Sequence, residues 1–333
     1  MHYMREDLTK IATKDFNEYT CVLLGGSGTA GVESCLSSAV NPEKKLLIVN
    51  NGAYGKRMVE IAQTYEIDFV ELKCEWDRIP NLDLIKETIE KENIGTIAVV
   101  HHETTSGILN PVKKIGILAK QYRCCLIVDA ISSFAGLCFD VKDYNIDFMI
   151  SSSNKCIQGM AGISFVICNK KELDKIKSYK KKSFYLNLYD QYNYLEKNKQ
   201  MRFTPPVQTI YALRQAIDEF LEEGAENRQK RYFDSWNVLV QGLKEIGFKL
   251  LLDEKIQSKI LTSIVEPKNS NFDFNLLHDL LYDRDFTIYP GKIGNMDTFR
   301  VANLGAINSE DISNFLIVLK DSLKEMGIND LEY

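Results

Sequence analysis

Short, almost wholly apolar runs alternate with amphipathic stretches through the first 200 residues of this 333-residue chain. The apolar runs are rich in β-branched residues, as strands buried on both faces of a sheet are. They are KLLIVN (45–50), TIAVV (96–100), CLIVDA (125–130), FMISS (148–152) and ISFVIC (163–168). Helix-like stretches such as KRMVEIAQTY and VKKIGILAKQY separate them. This alternation predicts an α/β fold in which helices sandwich a mostly parallel sheet.

The pattern changes after about residue 200. The stretch TPPVQTIYALRQAIDEFLEEG predicts a long helix, with prolines at its start and Gly224 at its end. Helical stretches and short strands are mixed in the remaining residues, which is typical of an α+β domain. We therefore expect a large domain over residues 1–205 and a small C-terminal domain over residues 206–333 that begins with the long helix.

Composition excludes several classes of function. The formal net charge of −5 gives no bulk attraction to nucleic acid or anionic lipid. No apolar run approaches the ~20 residues that a membrane span needs, and the polar first ten residues do not resemble a secretory signal. The eight cysteines form no C-x-x-C pair and lie mostly in apolar runs, which indicates free thiols in a reducing cytoplasm. Adjacent His101 and His102 would face opposite sides of a strand, so we expect no metal site.

A glycine-rich turn follows the apolar run CVLL, in the stretch LLGGSGTAGVES (23–34). Its G-x-G-x-x-G spacing is compatible with a dinucleotide-binding turn, with a single-phosphate site or with a tight turn alone. A nicotinamide site needs an acidic residue at the end of the next strand, and that strand ends in Asn50 and Asn51. The hydroxyls of Ser27 and Thr29 and the start of a helix favour a single phosphate.

Two further residues follow predicted strands. Asp129 closes the run CLIVD, and Lys155 lies in SSSNKCIQG, directly after the run FMISS. Taken singly, a strand-terminal Asp is often a helix cap, and a Lys after a strand is usually solvated. In a parallel sheet, however, both residues emerge at the carboxyl edge, where ligands bind. An acid, an amine and a phosphate turn at one edge are what pyridoxal 5'-phosphate requires, with Asp129 at the ring nitrogen and Lys155 as the Schiff-base lysine.

Seven stretches together resemble the class V, fold-type I aminotransferases. They are GGSGTAGVES, NNGAYGKRM, HHETTSGILNP, VDAISSFAG, SSSNKCIQGMAG, RFTPP and IYPGKIGNMDTFRVANLG, and they occur in the family's order from about residue 5 to near 320. Within the family, they are most similar to the members that transfer the amino group of 2-aminoethylphosphonate to pyruvate. The resemblance implies that activity, giving phosphonoacetaldehyde and L-alanine, and pyridoxal phosphate as cofactor.

The resemblance also implies roles for individual residues. Those that would hold the cofactor are Ser27, Gly28 and Thr29 at its phosphate, Asp129 at its ring nitrogen and Lys155 in covalent bond to it. Thr104 would lie beside the ring's 3-hydroxyl or the substrate, and Thr204 would reach the cofactor phosphate of the neighbouring subunit, which implies a homodimer. Arg300 would bind the acidic group of the substrate, although without the resemblance a surface ion pair is the simpler interpretation.

Other interpretations stay open. Family members usually begin with an N-terminal arm containing a Pro-Gly-Pro segment, and this chain starts past it, so we expect a fragment, a domain of a longer fused protein or a shortened form. The nearest alternative activity is that of an alanine– or serine–glyoxylate aminotransferase of the same family. A non-catalytic partner subunit is a further alternative, and a nicotinamide dehydrogenase is the least favoured.

Overall fold

The structure is a computed structural model that describes residues 1–294 and 296–333. Its contacts divide the chain into two compact units. The first consists of Met1–Glu103 and Asn110–Ala225, and the second of Thr104–Leu109 and Glu226–Tyr333. In the described part of the chain, no helix combines the length and the apolar composition that a membrane crossing needs.

The elements are numbered in chain order. The strands are β1 (Tyr19–Gly25), β2 (Lys45–Asn50), β3 (Phe69–Lys73), β4 (Ile94–Val100), β5 (His102–Glu103), β6 (Ile108–Leu109), β7 (Cys125–Asp129), β8 (Phe148–Ser152), β9 (Ile163–Asn169), β10 (Leu261–Val265), β11 (Tyr289–Ile293) and β12 (Met296–Ala302). The helices are α1 (His2–Ala12), α2 (Gly28–Ala39), α3 (Ala53–Thr64), α4 (Leu82–Lys91), α5 (Val112–Gln121), α6 (Lys170–Lys175), α7 (Leu188–Asn198), α8 (Val207–Glu223), α9 (Ala225–Ile246), α10 (Phe274–Tyr282) and α11 (Ser309–Glu325), with a 3₁₀ turn at Ile176–Ser178.

A seven-stranded sheet in the order β1-β9-β8-β7-β4-β2-β3 forms the centre of the first unit. The neighbours from β8 to β3 are all parallel, and β9 is antiparallel to both β8 and β1. Two antiparallel steps restore the original direction, so β1 ends at the same edge as the five parallel strands. The predicted α/β fold with a mostly parallel sheet is confirmed.

Helices flank this sheet because its strands are apolar on both faces and each needs cover. Two glycines, one in α2 and one in α5, allow their helices to approach neighbouring parts of the unit closely. A Cβ on Gly31 of α2 would lie 2.7 Å from the side chain of Ile150, and one on Gly116 of α5 would lie 1.8 Å from the Tyr144 carbonyl oxygen. Any larger residue at Gly116 would therefore push α5 away from the turn that contains Tyr144.

The helix α8 packs within the first unit. Its buried residues Leu213, Ile217 and Phe220 belong to the same hydrophobic core as the seven-stranded sheet. The boundary expected after residue 205 thus differs from the division by contacts, which falls after Ala225. As a boundary between folding domains, residue 205 stays a prediction.

The second unit is smaller and has its own core. Its sheet is antiparallel, in the order β10-β12-β11, and the helices α9, α10 and α11 contribute buried residues to one cluster with Ile264 and Phe299 of the strands. Asn308 caps α11 by accepting from the backbone N–H groups of Glu310 and Asp311. The predicted smaller α+β region is confirmed.

Candidate active site

The glycine turn connects β1 to α2 at the carboxyl edge of the sheet. Gly26 has a φ of +143°, which other residues rarely adopt, and its N–H donates to the Gly162 carbonyl at 2.9 Å. Ser27 is the N-cap of α2, but its hydroxyl makes no capping bond. The first N–H groups of this 12-residue helix have no acceptor within the helix. The turn therefore offers N–H donors, a hydroxyl and the positive end of a helix dipole to an anion.

Gly28 joins this turn to the loop after β7. A Cβ at Gly28 would lie 2.5 Å from the side-chain Cδ1 of Ile131, so glycine is required for the approach. Ile131 in turn donates its backbone N–H to an Asp129 carboxylate oxygen at 2.9 Å. The structure thus brings the glycine turn and the loop of Asp129 close together.

Asp129 is the last residue of β7 and is 5% exposed. Burial raises the pKa of its carboxyl group to about 7, the nearby Glu103 carboxylate adds to this rise, and the positive charge of Arg57 opposes it. No ion pair joins Asp129 to a cation within residues 1–294 and 296–333. A buried carboxyl group of this kind is suited to a positively charged ring nitrogen.

Lys155 lies three residues beyond the end of β8, in a loop that Ser153 organises. The Ser153 hydroxyl donates to the Ile163 carbonyl at 3.1 Å, and the Ser153 carbonyl accepts from the Gly159 N–H at 2.7 Å. The Lys155 carbonyl accepts from the Gln158 N–H at 2.8 Å. The lysine side chain is half-buried, and its amine forms no ion pair in the described part of the chain.

Two histidines support this edge of the sheet. His101 Nδ1 lies 3.0 Å from the Ser133 hydroxyl, and His102 Nδ1 lies 3.2 Å from the Ser132 carbonyl. Burial lowers the pKa of His101 to about 3 and that of His102 to about 4, with the charge of Lys155 contributing to the latter. Both rings are therefore neutral near pH 7, and both contact the loop that follows Asp129. In the described residues, no group of three or more His, Cys, Asp or Glu side chains could hold a metal ion.

Thr204 lies in the segment between α7 and α8 and is exposed. This segment runs beside the start of the glycine turn, because a Cβ on Gly25 would lie 3.8 Å from the Cδ of Pro206. The Thr204 hydroxyl has no hydrogen bond within the described part of this chain.

Thr104 and Arg300 both lie in the second unit. Arg300 Nη1 donates to the Thr104 carbonyl at 3.0 Å, and Nη2 donates to the Pro290 carbonyl at 3.0 Å. Arg300 Nε is buried and has no acceptor among the described residues. The simpler interpretation of Arg300 as half of a surface ion pair does not hold for the described residues, because its partners are two neutral carbonyls.

Sequence reasoning missed one charged residue of this edge, Arg57 of α3. Its Nη1 donates to the Thr29 hydroxyl at 3.3 Å. The stretch NNGAYGKRM contains Arg57, but a basic residue on an amphipathic helix gives no sign that it will contact a turn 28 residues earlier.

The sequence model of the family described as aminotransferase class-V matches residues 1–293. The chain belongs to the class V aminotransferases. The family expected from the sequence is therefore confirmed, and pyridoxal 5'-phosphate is its cofactor.

Similar proteins within the family include 2-aminoethylphosphonate–pyruvate transaminases. A 2-aminoethylphosphonate–pyruvate transaminase of Bacteroides fragilis (strain YCH46) is 43% identical over 322 residues, which cover 96% of this class V aminotransferase and 88% of the relative. One of Bacillus cereus (strain G9842) is 45% identical over 316 residues, covering 94% and 86%. A solved structure of ureidoglycine–glyoxylate aminotransferase from Bacillus subtilis is similar with a TM-score of 0.90 at 25% identity, covering 99% of this chain and 85% of that one.

The first unit of this class V aminotransferase fits the cofactor. Asp129 is a buried carboxyl group that forms no ion pair among the described residues, and pyridoxal phosphate has a ring nitrogen that can be protonated. Lys155 is an amine without a carboxylate partner among the described residues. The turn at Ser27–Thr29 presents the helix start and the hydroxyls that a phosphate group needs.

Proposed function

We propose that this chain transfers the amino group of 2-aminoethylphosphonate to pyruvate, giving phosphonoacetaldehyde and L-alanine. The observation that carries the proposal is the identity of 43% and 45% to 2-aminoethylphosphonate–pyruvate transaminases over at least 94% of the chain. The same activity was expected from the stretches ETTSGILNP and NKCIQG.

Six residues are proposed to hold the cofactor. Bound pyridoxal phosphate supplies an electron sink that lets a substrate C–H bond break and carries the amino group between the two substrates. The hydroxyls and N–H groups at the turn bind the phosphate, Asp129 pairs with the ring nitrogen and Lys155 bonds to the aldehyde carbon. Thr104 lies beside the ring's 3-hydroxyl or the substrate. These six are Ser27, Gly28, Thr29, Thr104, Asp129 and Lys155.

Lys155 is proposed to move the proton at the substrate carbon. To accept a proton, its amine must be neutral, and the half-buried side chain forms no ion pair in the described part of the chain. The loop held by Ser153 fixes the lysine backbone at the carboxyl edge of the sheet. Asp129 supports the same step, because a carboxylate beside the ring nitrogen stabilises the positive charge there.

Arg300 is proposed to bind the acidic group of both substrates. A guanidinium presents a planar set of donors that suits a carboxylate and a phosphonate alike. The carbonyls of Thr104 and Pro290 hold two of its nitrogens, so the side chain is oriented before a substrate arrives. One arginine can then serve both half-reactions, and ping-pong kinetics are expected.

Replacing Arg300 tests this role. For Arg300→Gln we expect kcat/KM to fall about 10- to 100-fold for 2-aminoethylphosphonate and for pyruvate alike, since a charged hydrogen bond contributes about 1.5–3 kcal/mol. Steady-state kinetics with each substrate varied in turn measure the effect. The control is Arg284→Gln, an arginine of the same unit whose carboxylate partner is Glu325. An unchanged KM for pyruvate in Arg300→Gln would remove Arg300 from the substrate site.

The substrates themselves are tested by a panel assay. We expect the purified chain to form alanine from pyruvate fastest with 2-aminoethylphosphonate as donor. Faster transfer from alanine or serine to glyoxylate would replace this activity by that of the alternative class V enzymes. No transfer with any donor, in a protein that binds the cofactor, would favour a non-catalytic subunit.

The assembly and compartment belong to the same proposal. We propose a homodimer in which Thr204 reaches the cofactor phosphate of the neighbouring subunit. The exposed position of Thr204 and its lack of a described partner in its own chain support this assignment. We propose a cytoplasmic location, which the eight cysteines support because they form no disulfide bond and thiols stay reduced there.

A further inference from the structure

We propose that Arg57 binds the phosphate group of the cofactor held at Ser27–Thr29 and is the main charged side chain that retains it. This inference rests on the proposed function, because it takes pyridoxal phosphate as the ligand of the glycine turn. The resemblance to the family implies no role for Arg57.

The first observation is the contact with the turn. Arg57 lies in the second turn of α3, and its Nη1 donates to the Thr29 hydroxyl at 3.3 Å. Thr29 is the second residue of α2, whose first N–H groups have no acceptor within the helix. The Arg57 guanidinium therefore lies beside the N-terminus of α2, and both the guanidinium and the helix N-terminus attract an anion.

The second observation is that the charge of Arg57 is unpaired. Within residues 1–294 and 296–333, no carboxylate forms an ion pair with its guanidinium, whereas the adjacent Lys56 lies 3.9 Å from a Glu60 oxygen. The Arg57 guanidinium carbon lies 4.9 Å from the centre of the Tyr54 ring. An aromatic face orients a guanidinium without neutralising it, which leaves its donors available to a phosphate.

The position of Arg57 also indicates which anion it binds, the phosphate of the cofactor or the phosphonate of the substrate. Its charge lowers the pKa of Asp129, so it lies near the acid proposed for the ring nitrogen as well as near the turn. In pyridoxal phosphate, the carbon that bears the phosphate arm is two bonds from the ring nitrogen, whereas the reactive aldehyde stands opposite that nitrogen. A cation near both Thr29 and Asp129 therefore belongs to the phosphate side of the ring rather than to the phosphonate of the substrate.

The test compares cofactor binding with and without the phosphate. Apo protein is titrated with pyridoxal phosphate and with pyridoxal, which lacks that group, and binding is followed by absorbance and protein fluorescence. For Arg57→Gln we expect the Kd of pyridoxal phosphate to rise about 10- to 100-fold and the Kd of pyridoxal to change less than about twofold. Arg57→Lys keeps the charge without the planar fork and is expected to be intermediate. Lys56→Gln is the matched control, since it removes a neighbouring positive charge from the same helix, at an exposed position that pairs with Glu60.

Three results would overturn the inference. The first is an unchanged Kd of pyridoxal phosphate in Arg57→Gln, and the second is a Kd of pyridoxal that rises as much as that of pyridoxal phosphate. The third is a raised KM for 2-aminoethylphosphonate with an unaltered affinity for the cofactor, which would assign Arg57 to the substrate. Arg57 is exposed, so its variants are expected to fold, and thermal unfolding of the apo proteins checks this. If the unaltered protein binds no pyridoxal phosphate at all, the proposed function fails, which is a different outcome from failure of Arg57 alone.

Discussion

Lys155→Ala is expected to stop transamination, with kcat reduced by about 10³-fold or more, while the protein still folds and binds its cofactor. The lysine is proposed both to bond to the cofactor and to move the substrate proton, and loss of a positioned base alone costs about 10²–10⁴-fold. Alanine formation from pyruvate measures the loss. Borohydride treatment followed by peptide mass analysis measures the bond, which we expect at Lys155 in the unaltered protein and nowhere in the variant.

The matched control is Lys177→Ala, an exposed lysine of the same unit that we expect to keep full activity. The side chain of Lys155 makes no described ion pair, so its removal is expected to leave the melting temperature nearly unchanged. Normal turnover in Lys155→Ala would show that another amine performs this chemistry, and the assignment would have to be withdrawn.

Asp129→Asn is expected to lower kcat by about 10²–10³-fold, the size of effect seen when one electrostatic contact to a developing charge is removed. The asparagine oxygen can still accept from the Ile131 N–H, so the loop after β7 is expected to keep its conformation. Without a carboxylate, however, the ring nitrogen loses the partner that stabilises its proton. Kinetics with saturating cofactor test this, and the control is Asp143→Asn, which alters an exposed acid of the same unit.

The stability of the apo protein gives an independent readout for Asp129. Its pKa is about 7 in the fold and near 3.8 in the unfolded chain, so the folded protein binds the extra proton between these values. Stability is therefore lost as the pH rises through this window, at about 1.4 kcal/mol per pH unit. Between pH 5 and pH 7, apo protein with Asp129 is expected to lose about 2 kcal/mol relative to Asp129→Asn, because the slope falls as the carboxyl group begins to titrate near pH 7. Parallel unfolding curves for the two proteins over that range would contradict the buried, unpaired state of this carboxyl group.

Much of the sheet could be predicted because its strands are defined by local composition. The runs at 45–50 and 148–152 match β2 and β8 residue for residue. Burial on both faces leaves little room for charged residues, so the apolar pattern marks these strands clearly. The shared edge of Asp129 and Lys155 followed from the parallel order alone.

Other features depend on contacts between distant parts of the chain. The contact of Arg57 with Thr29 joins a helix to an earlier turn, and no pattern within α3 indicates it. Likewise, the adjacent His101 and His102 gave no sign that their rings would bond to Ser133 and Ser132, because those bonds depend on how two strands and a loop are packed. The carbonyl partners of Arg300 could not be predicted either, because every residue has a backbone carbonyl and the sequence does not show which ones an arginine will contact.

The order of the sheet determines when the phosphate turn can form. Its first strand, β1, is an edge strand whose single neighbour is β9, and residues 19–25 pair with residues 163–169. During synthesis, the ladder hydrogen bonds of β1 can be made only after residues 163–169 have left the ribosome. The phosphate turn therefore depends on a non-local strand pairing, a kind of contact that forms more slowly than local contacts do.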